Sequence, residues 1–153
     1  MVATQQEKSF DVQTAPVKFL IVDDDVVSVM AVKRALKKLK IINPVTIARD
    51  GQHALNILRG DCGEDSLLSP YLVTLDLNMP RMNGFDFLEE VRKDPKLHPA
   101  VIFVLSTSDA PTDVAAAYES NIAGYIVKDD LGDSFVKALE MIDAYTKVVE
   151  MPR

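Results

Sequence analysis

The chain has 153 residues, 48% hydrophobic and 26% charged, with a formal charge of -6 at pH 7. That is enough chain for one buried core, the composition is not that of a disordered protein, and the acidic balance argues against non-specific nucleic-acid binding. No apolar run approaches the roughly 20 residues that cross a bilayer. The N-terminus lacks a signal-peptide layout, and the single cysteine, Cys62, can form no internal disulfide; a cytoplasmic protein is expected.

Residues 1–16 are polar and aperiodic and end at Pro16, the pattern of a flexible arm. Val17 to Val22 (VKFLIV) is a short apolar run of the kind buried on both faces of a sheet, and it stops at Asp23, Asp24 and Asp25. From there to Lys40, the residues Val29, Val32, Leu36 and Leu39 recur at helical spacing. Asp25 stands where that helix needs a cap, and Lys33, Arg34, Lys37, Lys38 and Lys40 lie mostly off the stripe. PVTIA over 44–48 is a second strand, and Asp50 caps a helix over 52–58 that Gly60 stops. A loop over 61–70 leads into Tyr71 to Leu75, an apolar and β-branched run that ends abruptly at Asp76.

Pro80 and the Asn83-Gly84 pair mark a loop before a helix over 85–92. AVIFVL over 100–105 is a fourth strand, followed by Ser106, Thr107 and Ser108. A helix over 112–120 leads to a short fifth strand, 124–127, ending at Lys128. The last helix runs over 133–148 with Phe135, Leu139 and Ile142 on its apolar stripe. Short, fully apolar strands alternating with helices predict an α/β fold. It is a doubly wound, flavodoxin-like parallel sheet of five strands in the order 2-1-3-4-5, flanked by five helices. One domain over 17–149 is expected, between the arm and a tail over 150–153.

In such a sheet ligands gather outside the carboxyl ends of the strands. The polar groups there are Asp23 and Asp24 after the first strand, Asp76 after the third, Ser106 after the fourth and Lys128 after the fifth. Each has an ordinary reading alone: an Asp-rich turn for Asp76, a capping hydroxyl for Ser106, a solvated lysine for Lys128. All five at matching strand ends are a far more specific signal. Two of these carboxylates at ~4 Å repel by about 4 kcal/mol at an effective dielectric of 20, so either protons are retained or a cation lies between them. Hard oxygen ligands without His or Cys favour Mg²⁺, or Mn²⁺ in its place. Neither His53 nor His98 falls at a strand end. A carboxylate, a divalent cation, a hydroxyl and an ammonium suit phosphoryl transfer: Asp76 as nucleophile, Ser106 and Lys128 on the phosphoryl oxygens.

FLIVDDD (19–25), LDLNMPRMNGFDFL (75–88), VLSTSD (104–109) and GYIVK (124–128) resemble the signature segments of receiver domains in two-component response regulators. They occur in the right order within about residues 17–149, and the separations of 30 positions from Asp76 to Ser106 and 22 from Ser106 to Lys128 fit as well. The resemblance implies an acidic metal pair in Asp23 and Asp24, a phosphoacceptor in Asp76 and a Mg²⁺-binding backbone carbonyl at Asn78. It also implies a switch hydroxyl in Ser106, a phosphate-pairing lysine in Lys128, and an aromatic, Tyr125, that turns inward on activation. A histidine kinase would supply the phosphoryl group, and the protein's only chemistry would be its own phosphorylation and dephosphorylation.

With only 150–153 after the last helix, the expected regulator carries no output domain and acts on a downstream protein or phosphotransfer partner, or pairs with itself. KDPKLHPA (93–100) and LSTSDA (105–110) look more like the stand-alone, chemotaxis-regulator-like type that partners phytochrome-type histidine kinases. Such relatives dimerise through the face of helix 4, strand 5 and helix 5; Tyr145, Val148 and Val149 either extend that face or pack on the domain's own sheet. Three residues depart from the family pattern: Asp129 follows Lys128 where Pro is usual, Asn83-Gly84 replaces Asp-Gly, and Asp25 adds a third acid. A Mg²⁺-dependent aspartyl-phosphate hydrolase is disfavoured by Asn78 and by the lack of a cap insertion, and a pseudo-receiver by the retention of all five groups. The lysine-rich first helix reads equally as a solvated face or a kinase-docking surface, and only poorly as a nucleic-acid surface.

Overall fold

The computed structural model describes residues 16–80, 82–128 and 132–153. The expected arm over 1–16, apart from Pro16, lies outside the described residues, as does Asp129. The elements in chain order are β1 (Lys18–Val22), α1 (Val26–Lys38), β2 (Val45–Ala48), α2 (Gly51–Arg59), β3 (Tyr71–Leu75), α3 (Gly84–Lys93), β4 (Val101–Ser106), α4 (Pro111–Glu119), β5 (Gly124–Val127) and α5 (Asp133–Val148). The strands form one parallel sheet in the order β2-β1-β3-β4-β5, as expected. No helix among the described residues is long and apolar enough to cross a membrane.

The strands read as continuous apolar runs because helices cover both faces of the sheet. Leu20, Val22, Val73, Leu75, Ile102 and Val104 pack in one layer with Leu55 and Leu58 of α2 and with Phe87, Leu88 and Val91 of α3. Their neighbours in sequence, Phe19, Ile21, Leu72, Phe103 and Leu105, pack in the other layer with Val32 and Leu36 of α1 and Phe135, Leu139 and Ile142 of α5. Truncating a residue such as Phe87, which is fully buried, to alanine typically costs ~3–5 kcal/mol. The register then sets the upper edge. Val22 lies opposite Leu75, and Leu75 opposite Val104, so Asp23 and Asp76 leave adjacent strands side by side. β4 runs on to Ser106, opposite Val127, which brings Lys128 to the same edge.

Side-chain caps place the helices over that edge. Asp25 accepts from the Val27 amide, Asp50 from His53 and Asn83 from Asp86, while Gly60 ends α2 at φ 75. The buried stripe of α1 differs from the expectation. It is Ser28, Val32, Ala35 and Leu36; Val29 is only half-buried, and Val26, Val27 and Met30 are exposed. The cause is Asp25, whose carboxylate binds the Ser28 hydroxyl as well as the Val27 amide and so turns Ser28 inward. The chain end also packs: Met151 is buried in the layer that holds α1 and α5.

Candidate functional site

One carboxylate oxygen from each of Asp23, Asp24 and Asp76 lies within 4.8 Å of the others, with Asp23 and Asp76 buried and Asp24 exposed. Backbone hydrogen bonds hold them there. The Asp76 amide donates to the Val22 carbonyl (2.9 Å) and the Asp23 amide to the Ala48 carbonyl (3.0 Å), extending the sheet's ladders past its last regular residues. The Asp25 amide donates to Asp23 Oδ1 (2.9 Å) and the Asn78 amide to Asp76 Oδ1 (3.2 Å). From the far side, the Lys128 amide donates to the Ser106 carbonyl (2.6 Å), and Lys128 Nζ reaches Asp23 Oδ2 at 3.3 Å. Both side chains of that ion pair are 8% exposed, so it is a buried one.

Burial pushes the Asp76 carboxyl up to about 6; Lys128 and the Asn78 amide work against the rise, and Asp23 and Asp24 add to it. The ionised form is therefore short of positive charge. The donors are hard oxygens only, and their spacing lets one ion touch all three, so the cluster fits a small divalent cation.

Ser106 is fully buried at the same edge, and its hydroxyl accepts from the Ser108 amide (3.1 Å). Ser108 is tied in turn through every polar group it has: its hydroxyl donates to Asp113 Oδ2 (2.6 Å) and accepts from the Ala110 amide (3.3 Å), and its carbonyl accepts from the Tyr125 hydroxyl (2.8 Å). A chain of hydrogen bonds thus runs from the end of β4 to the first turn of α4 and to β5. Tyr125 is half-buried, packed against the layer that holds α2 and α3.

Of the residues expected here, Asp23, Asp24, Asp76 and Lys128 converge. Ser106 joins them through the Lys128 backbone, and Asn78 through its amide, with its side chain exposed. His53 and His98 stay apart: the His53 ring accepts from the Arg49 amide (3.1 Å) and lies 3.4 Å from Glu64 Oε1, and His98 is exposed. Three residues were not anticipated in this region: Ser28, within 3.3 Å of Lys128 Nζ, and the Ser108–Asp113 pair. The signal for Ser28 was a hydroxyl on the inner side of α1, three residues after an acid that could cap and bind it. A hollow of about 590 Å³, lined by Arg59, Leu67, Tyr71, Asp94 and Val101, lies at the opposite end of the sheet.

The response regulator receiver domain family matches residues 19–140. Response regulator Rcp1 of Synechocystis sp. is 30% identical over 143 residues, which cover 93% of this chain and 97% of Rcp1. Among solved structures, the Mn(2+)-bound form of response regulator Rcp1 is similar with a TM-score of 0.81 at 29% identity, over 90% of this chain and 100% of that one. The phosphorylated cyanobacterial phytochrome response regulator RcpA is similar with a TM-score of 0.83 at 28% identity, over 91% of this chain and 100% of that one.

Proposed function

This chain belongs to the response regulator receiver domain family, and from that premise we propose that it accepts a phosphoryl group on Asp76 from a histidine kinase and signals by the rearrangement that follows. The observation that carries the reading is the convergence of three carboxylates and a buried lysine on one strand edge. The Asn78 amide holds Asp76 Oδ1, which leaves Oδ2 as the attacking oxygen. An O–P bond forms to Oδ2, the N–P bond of a phosphohistidine breaks, and its electron pair leaves with the imidazole, which takes up a proton. Mg²⁺ held by Asp23, Asp24, Asp76 and the Asn78 carbonyl would supply positive charge against the carboxylates and the phosphoryl oxygens, and the Mn(2+)-bound form of Rcp1 supports binding of a divalent ion.

A phosphoryl group adds roughly two negative charges to Asp76. Lys128 is then drawn to it, and the Ser106 hydroxyl donates to it. Drawing Ser106 away pulls on the Ser108 amide and, through Ser108, on Tyr125 and Asp113. Tyr125 follows into the space that Ser106 leaves, and α4, β5 and α5 repack. Asp76 phosphorylation and its hydrolysis are the protein's own chemistry; all else is binding.

The likeness to RcpA supports a phytochrome-type kinase as donor. Its docking surface is the start of α1, where Val26, Val27 and Met30 are exposed beside Lys33, Arg34, Lys37 and Lys38. A homodimer through α4, β5 and α5 is the second contact, supported by exposed Tyr118, Val148 and Val149. Tyr145 does not add to that face, because its ring packs edge-on to Phe103 at 5.1 Å. A cytoplasmic setting, expected from the lone cysteine, belongs to the same reading. The test is incubation with acetyl phosphate and intact-mass measurement. Wild type with Mg²⁺ should gain one phosphate, and Asp76→Asn, or wild type with EDTA, should gain none. A folded wild type that gains nothing would refute the reading.

A further inference from the structure

Lys128 carries a buried ammonium with two acceptors at equal distance, Asp23 Oδ2 and Ser28 Oγ, both 3.3 Å away. Asp23 is also one of the carboxylates that would hold the cation, so the lysine and the ion compete for one group. Ser28 is free of that conflict. It sits on α1, 4% exposed, in a stripe otherwise made of Val32, Ala35 and Leu36. Its hydroxyl donates to Asp25 Oδ2 at 2.9 Å, while Asp25 Oδ1 accepts from the Val27 amide at 3.0 Å. A hydroxyl has one proton and two lone pairs, so the bond to Asp25 commits the proton and leaves the lone pairs for the ammonium. The negative charge of Asp25 makes that oxygen a better acceptor, since hydrogen bonds in a chain polarise one another.

We propose that Ser28, anchored by Asp25, is a positioning residue for Lys128. It keeps the ammonium paired on the α1 side of the site once Asp23 is occupied with a divalent cation, until a phosphoryl group on Asp76 draws the lysine across. The inference rests on the function proposed above, because it requires the carboxylates to bind that cation. It gives Asp25, the acid beyond the usual pair, a task besides capping α1. Its physical basis is the cost of a buried charge stripped of partners. With Ser28 present, filling the carboxylate site leaves Lys128 one acceptor; without it, the same event leaves Lys128 with neither of the two.

Removing the hydroxyl should therefore weaken cation binding, and only through Lys128. The experiment is calorimetric titration of the full chain with MgCl₂ alone, on wild type, Ser28→Ala, Lys128→Met and the double variant. Alanine is the better helix former, so Ser28→Ala retains α1. Ser28→Ala should weaken Mg²⁺ binding roughly three- to tenfold, the range for one ordinary hydrogen bond, because at 3.3 Å this one is long for a bond to a charged group. In the Lys128→Met background the same change should shift affinity by less than about twofold, the limit of independent behaviour. Unchanged affinity in Ser28→Ala overturns the inference. So does equal weakening in both backgrounds, which would mark a packing effect that bypasses Lys128. Failure of wild type to bind Mg²⁺ at all is a separate result, and it overturns the proposed function together with the inference.

Discussion

Withdrawal from water does most to push the Asp76 carboxyl up from 3.8 to about 6; Asp23 and Asp24 push the same way, while Lys128 and the Asn78 amide oppose them. The unfolded chain ionises at the lower value and the folded one at the higher, so between them the fold holds the extra proton. Above about 6 the ionised side chain costs the fold stability, and below 3.8 that cost is gone. Asp76→Asn should accordingly stabilise the metal-free protein near pH 7, by on the order of 2 kcal/mol. The gain should fade as pH falls through 6 toward 4. Urea unfolding of both proteins with a chelator present checks this, and a gain that stays level across that range would contradict it. Asp23, Asp24, Asp76 and Lys128 were legible in the sequence because each is a charge that ends an apolar run. Ser28 was less so: the acid three residues before it is a local signal, but a serine inside a helix carries no such contrast and its partner lies 100 positions away. The Ser108–Asp113 pair depends on the path of a loop, which has no periodicity to read.

Among the elements, α3 starts hard against the residues that follow β3. A Cβ on Gly84 would lie 2.6 Å from Leu77 Cα and 2.8 Å from the Asp76 carbonyl oxygen, and both are backbone atoms that cannot swing aside. Asn83-Gly84 therefore works differently from the loop marker expected. Asn83 caps α3 and Gly84 is its first residue, present for close approach. Gly84→Ala, although it favours helix, should destabilise the protein by about 2 kcal/mol or more, as overpacking does. It should also slow phosphorylation of Asp76, whose loop α3 would displace. Urea unfolding and the rate of phosphate gain from acetyl phosphate measure the two effects; a stabilised variant would show that the loop yields. At the other end of α3, Arg92 donates to four backbone carbonyls, those of Ser120 (2.6 Å), His98 (2.6 Å), Ala100 (2.9 Å) and Asn121 (3.0 Å). It fastens α3 to the approach to β4 and to the end of α4. Element types and order followed from periodicity and from Gly, Pro and Asp punctuation. These fastenings did not, because a lysine or arginine in a last helical turn reads the same whether it is solvated or bound.

On the scale of the whole molecule, α4 is held at both ends by different means. Arg92 clamps its carboxyl end, and the Ser108–Asp113 bond links its amino end to Ser106. Under the proposed function, a pull at Ser106 would act on one end of a helix whose other end is fixed, and would convert a small displacement at the site into a tilt on the α4, β5 and α5 face. The two-layer sheet was legible as a whole, since only a strand covered on both faces needs apolar residues at every position. The fate of the chain end was not: Met151 is buried and Tyr145 turns onto Phe103, while Val148 stays exposed, a division that depends on the exact curve of α5's last turns. In the proposed function one aspartate, Asp76, is the point where the signal enters. The most direct measurement is to treat the acetyl-phosphate-reacted protein with borohydride, which reduces an acyl phosphate to an alcohol and releases phosphate, and to map the product by peptide mass. The account predicts homoserine at position 76 and nowhere else. Reduction at Asp23, Asp24 or Asp25 instead, or no reduction in a protein that carries phosphate, would contradict it.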